Sequence, residues 1–270
     1  MRWSDQALKE MERVPFFIRK MVKRKVEEFT RQQGSDLVRP YHLEECRRRF
    51  MANQENEVRG YRLETCFGAK DCENRVLGPN TLVERLEEFL DKQDLQQFLR
   101  KRVKGPLKMH HEFRVSVSFC PNACSRPQIV DLGIIGAVRP AAISSECTFC
   151  NLCLDKCREG AIELPSHGKP LIDYEKCLFC GHCTSVCQPS VLEREKEGFR
   201  VMVGGKLGRH PQLAYELPGI FVQEQVLDIA EKVVDFYRRQ CAGGERLGVL
   251  VNRVGIKEFY RFLGLPYGKK

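Results

Sequence analysis

The chain has 270 residues, 42% hydrophobic and 30% charged, with 21 Gly and 13 Pro, a balance that excludes a disordered, collagen-like or coiled-coil protein and leaves room for one large domain or two to three small ones. Its formal charge is +9, yet no helix-turn-helix, RNA-recognition or zinc-finger pattern accompanies the excess, so nucleic acid is not an expected partner. The most apolar run, Leu132 to Ile143, is broken by Arg139 and Pro140, and the first residues, Met1-Arg-Trp-Ser-Asp-Gln, lack an apolar leader; a cytoplasmic protein without membrane insertion is expected.

Residues 1–58 read as a helical domain. Ser4 can cap a short first helix, Pro15 suits the first turn of a second, and Ile18, Met21, Val22, Val26 and Phe29 recur at helical spacing up to Gly34. A third helix is predicted from about Tyr41, with Arg47, Arg48 and Arg49 as a solvated face or, alternatively, a docking site for an acidic partner. From Gly60 the pattern changes to a loop between Cys66 and Cys72, then a helix from about Asn80 to Arg102 built on Leu82, Leu86, Phe89 and Leu90. Phe113, Val115, Val117 and Phe119 alternate with Arg114, Ser116 and Ser118, the period of a half-buried strand, which ends in Cys120-Pro-Asn-Ala-Cys124. A second apolar segment spans Ile129 to Val138, a cysteine-rich repeat fills 144–192, strand character resumes from Val201 to Gly205, and helices are predicted from about Pro218 to Gln240 and Gly244 to Leu263. The order implies an α+β fold in which 59–143 and 193–270 form one domain and 144–192 is inserted into it.

Fourteen cysteines in a reducing compartment point to metal rather than disulfides. Cys46 and Cys241 stand alone and read as ordinary thiols; the other twelve fall in tight groups. Cys147-x2-Cys150-x2-Cys153-x3-Cys157 and Cys177-x2-Cys180-x2-Cys183-x3-Cys187 are similar to the run of two-cluster bacterial ferredoxins. In that arrangement the fourth cysteine crosses over, so that one [4Fe-4S] cluster takes Cys147, Cys150, Cys153 and Cys187 and the other Cys177, Cys180, Cys183 and Cys157. Arg158 and Pro189 depart from the usual placement of proline after the run, without loss of a ligand. Paired zinc sites, the alternative, would lack the third closely spaced thiol. A cluster with four thiolates carries a net charge of about −2, so three clusters would offset most of the positive excess.

Thr65-Cys-Phe-Gly-Ala-Lys-Asp-Cys72, Phe119-Cys-Pro-Asn-Ala-Cys-Ser-Arg-Pro-Gln128, Asp131-Leu-Gly-Ile-Ile-Gly136 and the later Gly198-Phe-Arg-Val-Met-Val-Gly-Gly-Lys-Leu-Gly-Arg-His-Pro211 resemble the nitrite/sulfite reductase family, in its dissimilatory and anaerobic sulfite reductase form. The resemblance implies a third [4Fe-4S] cluster on Cys66, Cys72, Cys120 and Cys124, with Cys124 bridging to the iron of siroheme. It implies six-electron reduction of sulfite or nitrite, with electrons arriving through the ferredoxin clusters. Siroheme carboxylates and an anionic substrate would need fixed positive charge, for which Arg62, Lys70, Arg75, Lys108, Arg114, Arg126, Lys206 and Arg209 are the candidates. His110, His111 and His182 are expected to be structural. In the family two related halves enclose the siroheme, and this chain contains one; a second subunit, a second copy or a redox partner protein is therefore implied, the alternative being a siroheme-free electron-transfer subunit of a larger reductase. The amino-terminal helices resemble the small helical domain of light-independent protochlorophyllide reductase.

Overall fold

The computed structural model describes residues 1–67, 72–78, 80–143, 146–188 and 191–267, with 51–56 described by backbone alone. They divide into two compact units, one made of 1–59 with 104–109 and one of 60–103 with 110–270.

In the first unit, helices α1 (Asp5–Glu12), α2 (Phe16–Gln32) and α3 (Pro40–Glu57) form where the periodicity places them, the Ser4 hydroxyl accepting from Ala7 N–H at 3.3 Å. Two short strands that the helical pattern hides, β1 (Arg2–Trp3) and β2 (Leu37–Val38), pair in parallel. Ala7, Met11, Val26, Phe29 and Val38 are the core. Met21, one of the periodic residues, is half exposed. His42 is buried; Arg39 N–H donates to its Nδ1 at 2.9 Å, and its Nε2 has no partner.

The second unit is built on a five-stranded mixed sheet in the order β3 (Tyr61–Thr65), β4 (Phe113–Ser118), β5 (Leu132–Ala142), β8 (Leu192–Val203), β9 (Tyr215–Glu216). The first three strands run parallel and the last two join antiparallel. Parallel neighbours need a crossover of about a dozen residues or more. Between β3 and β4 it carries helices α4 (Leu82–Asp91) and α5 (Leu95–Arg102); between β4 and β5 it is the Cys120–Cys124 loop itself. The single helix predicted over 80–102 is thus two, broken where Asp94 adopts a left-handed conformation (φ 45°) and its carboxylate caps α5 through Gln97 N–H.

β4 is covered on both faces, not one, because Ser116 and Ser118 are fully buried and spend their hydroxyls on the Ser125 segment. β8 starts nine residues before the predicted strand: Glu193 to Glu197 are all charged and exposed, which hides the strand signal although this stretch pairs with β5. Helix α8 (Gln223–Gln240) packs on β8 and α4, with Tyr237 against Phe113 at a ring separation of 5.2 Å. It begins later than predicted because Phe221 still bridges to Phe199. The final predicted helix is also divided, into α9 (Leu247–Val254) and α10 (Ile256–Leu263), at Gly255 with φ 101°. Between β5 and β8 lies the cysteine repeat, containing short helices α6 (Leu152–Lys156) and α7 (His182–Val186) and a hairpin of β6 (Ile162–Glu163) and β7 (Leu171–Ile172). Among the described residues no helix is long and apolar enough to cross a membrane.

Candidate metal centres

The two halves of the repeat fold alike because their sequences place the same kinks at the same steps. Phe149 and Asn151 (φ 53° and 62°) match Phe179 and Gly181 (φ 59° and 69°), so each loop curls left-handed twice before entering its short helix. The outcome is two clefts. One, of about 300 Å³, is lined by Cys147, Cys150, Cys153 and Cys187. The other, of about 770 Å³, is lined by Cys157, Cys177, Cys180 and Cys183, and also by Cys120, Pro121 and Asn122. We call these the outer and inner sets. Each draws three thiols from one half of the repeat and one from the other.

All these thiols are free. Burial pushes the Cys183 thiol up to about 12, with Cys180, Cys177 and Cys157 adding to the shift; burial raises Cys153 as well, and Cys187 and Cys147 reinforce it. Four thiolates so placed are unstable alone and stable around a cationic core. Backbone N–H groups aim at the sulfurs: Phe149 N–H at Cys147 Sγ (3.4 Å), Ala161 N–H at Cys157 Sγ (3.3 Å) and Leu192 N–H at Cys187 Sγ (3.4 Å). Among the described residues no group of three or more His, Cys, Asp or Glu side chains is gathered as around one metal ion. Four thiols spread round the wall of one cleft could occupy the corners of an iron–sulfur cluster.

The third set sits at the ends of β3 and β4. Cys66 and Cys72 are half-buried, Cys120 buried and Cys124 exposed. The Cys120 thiol is raised by burial and by Cys66, Cys124 and Cys72 around it, against the lowering effect of Asn122 N–H. Phe119 N–H donates to Cys66 Sγ at 3.4 Å. Ser118 and Ser125 hydroxyls meet at 2.7 Å, and Ser116 donates to Ser125 O at 2.6 Å, fixing the loop behind Cys124 to the strand. Gly136 is required beneath it: a Cβ there would stand 2.7 Å from Phe119 O.

Val138 joins the third set to the inner one. Its side chain packs with Cys120 and Val76, and its N–H donates to Phe179 O at 2.7 Å. Gly181 lies so close that a Cβ would be 2.8 Å from Val138 Cβ.

The basic candidates separate. Arg62, Arg114 and Arg126 line a cleft of about 430 Å³ together with Glu64, Ser125 and Leu207. Arg62 pairs with Glu64 at 2.6 Å and Arg126 with Glu64 at 3.7 Å, while Arg114 Nε is buried with no partner. Arg75 faces elsewhere: it donates to Leu77 O and Gly78 O and lies 4.7 Å over the Phe119 ring. Lys206 is half-buried with its backbone paired to Gln212; Arg209 is exposed. Lys108 is exposed on the 104–109 segment of the first unit, and Lys70 lies outside the described residues. The His110 and His111 rings lie 4.1 Å apart, tilted at 56°, on a turn before β4, and His182 lines the inner cleft.

Sequence reasoning missed Glu64 and the buried Asp131. Asp131 accepts from Arg114 N–H (2.8 Å), Arg246 Nε (2.9 Å) and Leu247 N–H (3.1 Å), tying β4, β5 and the start of α9 together. Its only signal was its place at the head of Asp131-Leu-Gly.

A family model described as the nitrite and sulphite reductase 4Fe-4S domain matches residues 59–270, and one described as the proto-chlorophyllide reductase 57 kD subunit matches residues 3–47. The coenzyme F420-dependent sulfite reductase of Methanocaldococcus jannaschii is 38% identical over 151 residues, 55% of this chain and 24% of that protein. An uncharacterized protein of the same organism is 28% identical over 238 residues, 84% of this chain and 76% of its own. The crystal structure of dissimilatory sulfite reductase I matches with a TM-score of 0.51 at 19% identity, over 76% of this chain and 52% of that one, a likeness of fold. The chain therefore spans about a quarter of the first relative and about half of the last.

Proposed function

Because the chain belongs to the nitrite and sulphite reductase 4Fe-4S domain family, we propose that it is an iron–sulfur oxidoreductase subunit acting on a small oxyanion, sulfite or nitrite. In this reading the outer set, the inner set and Cys66, Cys72, Cys120 and Cys124 each hold a [4Fe-4S] cluster, and the clusters supply one-electron carriers. The observation that carries it is the position of Val138, packed on Cys120 and bonded to the loop between Cys177 and Cys180. That contact supports an electron route running from the outer set through the inner set to the third.

Arg62, Arg114 and Arg126 are the groups we assign to an anion. The unpartnered Arg114 Nε and the guanidinium forks beside it suit siroheme carboxylates or the substrate itself. Ser125 and Arg126 line that cleft directly after Cys124, which supports Cys124 as the residue facing siroheme; siroheme would supply the iron that binds the oxyanion. The chain's own part is to hold the anion, orient it with fixed positive charge and exclude water. Phe67, Leu207 and Leu213 are 86%, 64% and 71% exposed. Of these, Phe67 follows Cys66 and Leu207 lines the cleft, and their exposure supports a covering partner, a second subunit or a second copy, in the working form.

Absorption spectroscopy with siroheme extraction, on protein purified without oxygen and sized by light scattering, tests the proposal. Siroheme in an oligomer or complex that reduces sulfite with an artificial donor is expected. A pigment-free protein with three intact clusters would instead identify a pure electron carrier, and a siroheme-bearing, active monomer would remove the need for a partner.

A further inference from the structure

The inner and outer sets differ in the charge around them. Besides its cysteines the outer cleft is lined by Thr148, Asn151, Leu152, Leu164, Pro170 and Val186, none of them charged. The inner cleft carries Lys156, Arg158, Glu159 and His182, and two more cations, Arg139 and Arg200, reach its ligand loop from the sheet. Pro140 of β5 has no N–H, so the ladder with β8 cannot run regularly through it. The register passes from Arg139 opposite Lys196 to Pro140 opposite Arg194 and leaves Glu195 as the extra residue of a bulge. Glu195 takes the Arg139 Nε proton donor at 2.7 Å. The guanidinium is then held 3.9 Å over the Tyr174 ring and 6.0 Å from that of Phe179, the residue before Cys180. Arg200, 5.9 Å from the same ring, is nearly buried, donates to Leu178 O at 3.5 Å and is paired with both oxygens of Glu216. Arg139 has a single-point partner in Glu195, and both side chains are partly open to solvent.

We propose that the Arg139–Glu195 pair sets the reduction potential of the cluster held by the inner set, keeping it a better electron acceptor than burial alone would allow. The inference rests on the reading that the inner and outer sets each hold a [4Fe-4S] cluster. Reduction takes such a core from 2+ to 1+ by one electron and no proton, so the cluster with its thiolates becomes more negative. Burial opposes that gain, and in the inner set Cys183 is buried and Cys157, Cys177 and Cys180 are half-buried, none exposed. A guanidinium beside the ligand loop offsets the penalty, and Glu195 attenuates it.

The test uses the full chain, reconstituted without oxygen with iron and sulfide, reduced stepwise by dithionite and followed by electron paramagnetic resonance. Cys150→Ser, which perturbs the outer set alone, assigns the waves. R139Q should shift the inner one-electron equilibrium about tenfold toward the oxidised form, about 59 mV, and leave the outer wave in place. R139K should fall between R139Q and the unaltered protein. E195Q should move the inner wave the opposite way, and it keeps the test valid if R139Q fails to assemble. Both displacements should shrink as ionic strength rises, which a purely structural role would not produce. An inner wave unmoved by R139Q and E195Q in protein with its full iron overturns the proposal and leaves the cluster reading standing; protein that takes up no iron overturns both.

Discussion

Replacing Asp131 by Asn keeps the shape of the side chain and removes its charge at the point where three elements meet. Asp131 is fully buried and receives Arg114 N–H, Leu247 N–H and Arg246 Nε. The amide can still accept one or two of these bonds, but Arg246, only 16% exposed, is left as an unmatched cation. Breaking a buried pair from one side costs about 3–5 kcal/mol. The residual exposure of Arg246 puts the expectation at the lower end, about 3 kcal/mol, which for a protein of this size lowers Tm by about 6–12 °C. Circular dichroism melts of anaerobically prepared holoprotein, at one scan rate, measure this. The double variant D131N/R246Q should recover more than half of the loss, because no charge remains unmatched. A fall below 2 °C, or a double variant no better than the single one, would refute the argument that the pair holds α9 to the sheet.

Three sets of four thiols predict about twelve iron and twelve sulfide per chain, with one further iron where siroheme is bound; stoichiometric zinc would remove the scheme. Gly136→Ala drives a methyl group into Phe119 O and should cost the third cluster alone, about four iron, with the outer and inner signals intact. Cys124→Ser should disturb any siroheme spectrum while Cys147→Ser leaves it and the third cluster unchanged; loss of the third cluster in Cys147→Ser would contradict the ligand assignment. Burial holds the His42 pKa below its ordinary value. Unfolded chains therefore bind the extra proton first, and the first unit should be most stable above about pH 7 and weaken as pH falls below about 6.5. Trp3, the one tryptophan, packs in that core, so its fluorescence against urea between pH 5 and 8 reads the effect, which His42→Gln should flatten.

Much of the fold was legible because its signals are local. The helices of the first unit follow from Ser4, Pro15 and the spacing of Val26 and Phe29, and the α+β class follows from the alternation at Phe113–Phe119 and the helices after it. The gathering of the repeat's thiols round two clefts has a related reason: a short covalent spacing limits where three thiols can point. What escaped depends on partners distant in the chain. Asp131 and Arg246 lie 115 residues apart, and nothing near either names the other. Ser116 and Ser118 looked like an exposed face until the Ser125 segment covered them. The charged start of β8 looked like a loop because its pairing with β5 lies in the backbone, which side chains do not advertise. Among the eight basic candidates, charge alone could not separate Arg114, in one cleft with Arg62 and Arg126, from Arg75, spent on carbonyls.

The ribbon formed by β5 and β8 has its last rung at Ala142 and Leu192. The chain leaves the sheet and returns to it at neighbouring points, and the segment in between is tied back to β5 by Tyr174 OH on Pro140 O and by Val138 N–H on Phe179 O. A short turn could close that gap without altering the register below, since the sheet's own order is set by β3, β4 and the rungs nearer Leu132. The attached segment can thus be lengthened, exchanged or shed by a lineage while the strands beneath keep their places. What would resist such an exchange is the grip at Val138, where Phe179 and Gly181 close against β5. Any replacement wired to the third set would have to present a carbonyl and a residue without a side chain at that one spot.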